Sequence, residues 1–137
     1  IPQFIQDYHI DNGIMYGCVK HNIPFVLTGS IRDDGPLPEV YADAYQGACA
    51  MRSLVRSATT VICLATMLHT IAAGNMTPSF RVLPDGTARP VYLYAVDADE
   101  FVVNKLRDRG SLCATTMVTN VQDFITKVAR DLGVYPK

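Results

Sequence analysis

Four short β-branched and apolar runs, each followed by a stretch with helical spacing, constrain this chain more than any other feature. They lie at 23–28, 59–64, 90–96 and 112–118. The helical stretches that follow cover 40–56, 65–75, 99–108 and the segment from Val121 to Leu132. Strands separated by helices pair through crossovers rather than hairpins. The pattern therefore predicts a parallel α/β sheet with right-handed connections and about four strands. At 137 residues, with 49% hydrophobic and 18% charged content, the chain has enough apolar surface to form one domain over 1–137.

The spacing also places punctuation. Residues 2–10 are weakly helical, Asp11-Asn12-Gly13 stops that pattern, and Ile14, Met15, Cys18 and Val19 form the stripe of a short helix ending at His21-Asn22. His9 and His21 read as surface or cap residues. Ala44, Ala48, Met51 and Val55 give the next helix its core face. Gly74 stands where a left-handed helix cap is wanted, and Pro84-Asp85-Gly86 marks a turn within an irregular excursion over 76–90. Thr119-Asn120-Val121-Gln122 has the form of a capping box, and Val121, Ile125, Val128 and Leu132 share a face of the last helix.

Composition excludes some functions. A net charge of -1 gives no electrostatic reason for a nucleic-acid or anionic-membrane partner. No apolar run approaches the roughly 18 residues that span a bilayer. Cys18, Cys49, Cys63 and Cys113 lack metal-ligand spacing and read as reduced, core-type residues of a cytoplasmic protein, with no metal site expected. The chain begins Ile1-Pro2-Gln3-Phe4, without an initiator Met or a signal-peptide pattern, and reads as a processed piece or part of something longer.

Three places carry candidate chemistry. The run Phe25-Val26-Leu27 breaks into Thr28-Gly29-Ser30, then Arg32-Asp33-Asp34 and Gly35-Pro36-Leu37-Pro38. That is the layout of a ligand loop beyond a strand end, or of Arg and Asp pairing with each other in solvent. Around Ala65-Thr66-Met67 a helix leaves a strand, where free amides favour an anion. His69 on that helix is either a proton carrier or a core histidine bonded to a backbone carbonyl. Asp97 ends the third strand, where nucleotide-binding folds place a ribose-binding carboxylate. Alternatively, Asp97 or Asp99 caps the next helix. G-x-G-x-x-G, P-loop, G-x-S-x-G and H-E-x-x-H patterns are all missing. Four strands without a phosphate fingerprint look like half of a doubly wound domain.

The residues themselves resemble one family. The matching stretches are Gly13-Ile14-Met15-Tyr16, Cys18-Val19-Lys20, Pro24 to Leu27 with Gly29 to Pro38, Leu64 to His69 with Ala72 and Gly74-Asn75, and Val96-Asp97 with Val103, Lys105-Leu106 and Asp108-Arg109-Gly110. Together they are similar to the signature of archaeal-type ornithine cyclodeaminases, also described as lysine-oxoglutarate reductase/saccharopine dehydrogenase conserved-domain proteins. The C-terminal domain of cyanobacterial arginine dihydrolase/ornithine cyclodeaminase is a relative.

The resemblance implies a Rossmann-like NAD-binding domain, distantly like that of deoxyhypusine synthase. It implies redox-neutral conversion of ornithine to proline and ammonia. On that basis Gly29 and Ser30 let backbone approach the dinucleotide, while Thr66 and Met67 hold phosphate or nicotinamide ribose. Asp97 takes the adenosine ribose, Arg32 the substrate carboxylate, and Asp33 or Asp34 an ammonium group. His69 and Asn75 line the reacting end. Family members are longer, so this chain corresponds to the second half of a larger cofactor domain, completed in a homo-oligomer or by a chain carrying the N-terminal half. Two other classes stand beside the enzyme: a non-catalytic nucleotide-binding or regulatory subunit, and an interaction domain that pairs through an exposed sheet edge.

Overall fold

The computed structural model describes residues 1–29, 39–107 and 112–134. Ser30, Arg32, Asp33, Asp34 and the segment 108–111 lie outside the described residues. The chain divides into two compact units, Ile1–Met51 and Arg52–Lys137.

The first unit contains α1 (Pro2–Asp7), α2 (Ile14–Lys20) and most of α3 (Ala44–Val55). Pro2 opens α1 where its missing amide costs nothing, and His21 is the C-cap of α2. The Asp43 carboxylate accepts from the Gln46 amide at 2.7 Å, so α3 begins after Asp43 and not at 40. Gly47 is the buried residue of α3, and a Cβ there would lie 2.8 Å from Thr28 Cγ2. The strand expected at 23–28 does not form. Among the described residues its β pairing is a single parallel bridge between Thr28 and Tyr41, made by Tyr41 N–H to Leu27 and Gly29 N–H to Tyr41. Three apolar residues after a proline are too short a run to recruit a full ladder.

In the second unit the order is β1 (Thr60–Leu64), α4 (Leu68–Met76), β2 (Phe80–Val82), β3 (Ala88–Pro90), β4 (Tyr92–Asp97), α5 (Glu100–Arg107), β5 (Cys113–Val118) and α6 (Val121–Asp131). β1, β4 and β5 make a three-stranded sheet in the order β1-β4-β5, both pairings parallel. The α/β class is as the sequence predicts, with three strands in this sheet in place of about four. The central strand is buried on both faces. Leu93 and Ala95 are 1% exposed and Val96 is 2% exposed, and Val103 and Leu106 of α5 are also buried.

The excursion at 76–90 is more regular than its composition suggests. β2 and β3 form an antiparallel hairpin around Pro84-Asp85-Gly86, with Gly86 at φ +82. The Asp85 carboxylate accepts from both the amide and the hydroxyl of Thr87, which holds it below the usual carboxylate range.

Gly74 does not cap α4. It is buried inside the helix, which runs on to Met76, where the Thr77 hydroxyl donates to the Ala73 carbonyl at 2.6 Å. The cap of α6 is Asn120, whose side chain accepts from Gln122 N–H at 2.8 Å. On α6, Ile125 and Leu132 are largely exposed, while Phe124 joins Val121 and Val128 as half-buried residues.

All four cysteines are free. Cys63 is buried, Cys18 and Cys113 are half-buried, and Cys49 is exposed, contrary to a core role for that residue. Among the described residues no helix is long and apolar enough to cross a membrane.

Candidate functional site at the carboxyl edge of the sheet

Parallel register puts the ends of the three strands level. Leu64 pairs with Val96 and Val96 with Met117, so β1, β4 and β5 stop together. The ladder continues one residue past the outer strands, with Ala65 N–H donating to Val96 and Thr119 N–H to Asp97. The terminal carbonyls of β4 are thereby used, and the Asp97 side chain is what the central strand leaves at the edge.

Asp97 is half-buried. Its Oδ1 accepts from Asp99 N–H at 3.0 Å, and Asp99 in turn accepts from Phe101 N–H at 2.8 Å. Asp99 therefore caps α5. Asp97 braces the turn before it and keeps acceptor capacity, since a carboxylate offers about four lone-pair sites.

Beside Asp97, the β1–α4 junction makes a sharp turn. Ala65 adopts φ +51, a left-handed conformation uncommon for a residue with a Cβ. That kink delays the helix, so α4 begins at Leu68 and not at 65. Met67 is its N-cap and provides no side-chain cap, which leaves first-turn amides without a side-chain acceptor. Thr66 Oγ1 meets His69 Nδ1 at 3.1 Å. His69 is exposed, so it is not the core histidine bonded to a backbone carbonyl. Asn75 is exposed in the last turn of the same helix, about 9 Å along its axis from His69.

The structure thus gathers Thr66, Met67, His69 and Asp97 at the carboxyl edge of one sheet, where α/β folds bind ligands, and leaves Asn75 away from it. Gly29 belongs to the first unit. A Cβ there would make ordinary contacts with Val40 Cγ1 at 3.5 Å and the Tyr41 carbonyl at 3.6 Å.

Sequence reasoning missed Thr70, which is 3% exposed on α4 and whose hydroxyl donates to the Thr66 carbonyl. The available signal was a β-branched hydroxyl four residues after Thr66 in an otherwise nearly apolar helix.

Comparison with known proteins agrees with this architecture. Residues 1–128 match the family model described as "Arginine dihydrolase ArgZ-like, C-terminal, Rossmann fold". An ornithine cyclodeaminase of Archaeoglobus fulgidus is 46% identical over 125 residues, 91% of this chain and 28% of the relative. The bifunctional arginine dihydrolase/ornithine cyclodeaminase ArgZ of Synechocystis is 40% identical over 132 residues, 96% of this chain and 17% of the relative. The chain therefore spans well under a third of the length of either. Among solved structures, a LOR/SDH protein from Methanococcus maripaludis S2 superposes with a TM-score of 0.82 at 38% identity, covering 96% of this chain and 37% of that one. The ternary complex of AgrE with ornithine and NAD+ superposes with a TM-score of 0.79 at 38% identity, covering 96% of this chain and 18% of that one.

Proposed function

The chain belongs to the ArgZ-like C-terminal Rossmann-fold family, and from that premise we propose that it supplies the C-terminal part of the NAD and substrate site of an ornithine cyclodeaminase-type enzyme. The observation that carries the reading is the half-buried Asp97 carboxylate at the end of the central strand, level with a helix start that lacks a side-chain cap. This donor set suits a dinucleotide. A carboxylate with spare acceptor capacity matches a ribose diol, and free first-turn amides match a phosphate.

When bound, NAD⁺ supplies a hydride acceptor that is also the returning donor, which lets ornithine become proline with loss of ammonia and no net oxidation. The chain's own residues bind and orient. Asp97 accepts from the adenosine ribose, and the amides after Met67, with Thr66, hold phosphate or the nicotinamide ribose. His69, its ring fixed through Nδ1 by Thr66, presents Nε2 to the reacting end as a proton carrier. Gly29, Ser30, Arg32, Asp33, Asp34 and Asn75 take their roles from the family resemblance: close backbone approach for the first two, the substrate carboxylate for Arg32, an ammonium group for Asp33 or Asp34, and the reacting end for Asn75. The rest of the site comes from a further polypeptide segment, in the same assembly or a homo-oligomer.

Two measurements test this. Isothermal titration of the chain with NAD⁺ should give saturable binding. The Archaeoglobus relative, with its matching segment replaced by this chain, should release proline and ammonia from ornithine in equal amounts. A well-folded chimera that ignores NAD⁺ refutes the cofactor role. Retained NAD⁺ without turnover in the folded chimera is the signature of a non-catalytic nucleotide-binding subunit.

A further inference from the structure

The strained turn between β1 and α4 needs something to hold it, because a non-glycine residue at φ +51 persists only where its surroundings fix it. On one side the turn is pinned to the sheet by Ala65 N–H donating to Val96 at 2.9 Å. On the other it is pinned from beneath. The Thr70 hydroxyl, on a residue 3% exposed, spends its single proton on the Thr66 carbonyl. Thr66 lies in the turn and Thr70 in the first turn of α4, so this bond ties the two together like a clasp. At its outer face Thr66 Oγ1 meets His69 Nδ1 at 3.1 Å.

We propose that Thr70 is a positioning residue of the cofactor edge: its buried hydroxyl locks the β1–α4 turn and thereby orients Thr66 and His69. The proposal rests on the reading that this edge takes NAD. Thr70 touches neither cofactor nor substrate and acts through the Thr66 backbone.

The test compares Thr70→Val, which keeps the shape and removes the hydroxyl, with Thr70→Ser, which keeps the hydroxyl. Three readouts are taken on the same chain: NAD⁺ affinity by isothermal titration, melting temperature, and the His69 ring signals in ¹⁵N-histidine NMR. Losing one net hydrogen bond at the turn predicts NAD⁺ binding about fivefold weaker for Thr70→Val and within about twofold of the parent for Thr70→Ser. The His69 ring signals should move in the Val variant and stay in place in the Ser variant. Unmoved ring signals in Thr70→Val, or equal loss of affinity in the two variants, overturn the proposal. If the parent chain binds no NAD⁺, affinity is read in the chimera with the Archaeoglobus relative, where absent binding sinks the cofactor reading, and the ring signals decide whether Thr70 positions the turn. If Thr70→Val does not fold, Thr70→Ala takes its place under the same comparison.

Discussion

Replacing Asp97 with Asn removes the charge at the end of the central strand while leaving an oxygen for Asp99 N–H, now bound at 3.0 Å. The brace at the start of α5 survives, because Asp99 itself accepts from Phe101 N–H. Any change in NAD⁺ affinity then reports the ligand contact and not a damaged turn. A hydrogen bond to a charged group is worth about 1.5–3 kcal/mol and a neutral one about 0.5–1.5 kcal/mol. Asp97 is half-buried, so the lower end of the charged range applies. The Asn variant should therefore bind NAD⁺ about fivefold more weakly, and the Ala variant, which loses the contact altogether, at least about tenfold more weakly. Isothermal titration gives both numbers, and a melting curve for each variant shows whether the fold is intact. Wild-type affinity in a folded Asp97→Ala chain would refute the ribose contact and leave Asp97 as a turn brace.

Other perturbations test the fold beneath the site. Gly47→Ala sets a methyl group 2.8 Å from the stiff, β-branched Thr28, so it should destabilise the first unit by about 1–3 kcal/mol in urea unfolding; an unchanged midpoint would show that the contact relaxes freely. Asn120→Ala should cost about 0.5–2 kcal/mol while Thr119→Ala costs far less, because Asn120 caps α6; the reverse order would restore Thr119 as the cap. Burial pushes the Cys63 thiol above its ordinary 9.0, outweighing the opposing influence of Thr70. As pH rises past that ordinary value the unfolded chain gives up a proton that the folded chain keeps, so stability falls with rising pH. Cys63→Ala should flatten that alkaline decline in pH-dependent denaturation, and an identical slope in both proteins would exclude Cys63 as its source.

How much of this was legible in the sequence depends on the range of the forces involved. β1, β4 and β5 follow from β-branched runs long enough to fill a ladder, and Asp97 follows from its place at a strand end. The run at 25–27 carries the same local signal, but among the described residues the segment pairs only through the Thr28–Tyr41 bridge. Pairing is a non-local property that three residues cannot announce. The start of α4 is not legible in the sequence, because Ala65 takes a positive φ where its amide bonds β4, and alanine gives no hint of it. Gly74 was read as a cap because glycine often is one. Here helix packing buries it and the terminal interaction passes to Thr77. The hairpin at 80–90 was visible only through its turn, since strands of three residues are too short to show alternation. At the site the sequence pointed to the carboxyl edge but not to the clasp beneath it. Thr70 resembles an ordinary core residue until its hydroxyl meets the Thr66 carbonyl.

The central claim is that this chain helps build a site where a hydride leaves the α-carbon of ornithine and returns to the molecule it left. Ornithine deuterated at the α-carbon, turned over by the chimera of this chain with the Archaeoglobus relative in unlabelled water, tests that claim most directly. Mass spectrometry of the product should find proline that keeps the deuterium, with one ammonia released per proline and no accumulation of reduced nicotinamide. Proline that has lost its deuterium to solvent, or reduced nicotinamide accumulating with turnover, would contradict the account.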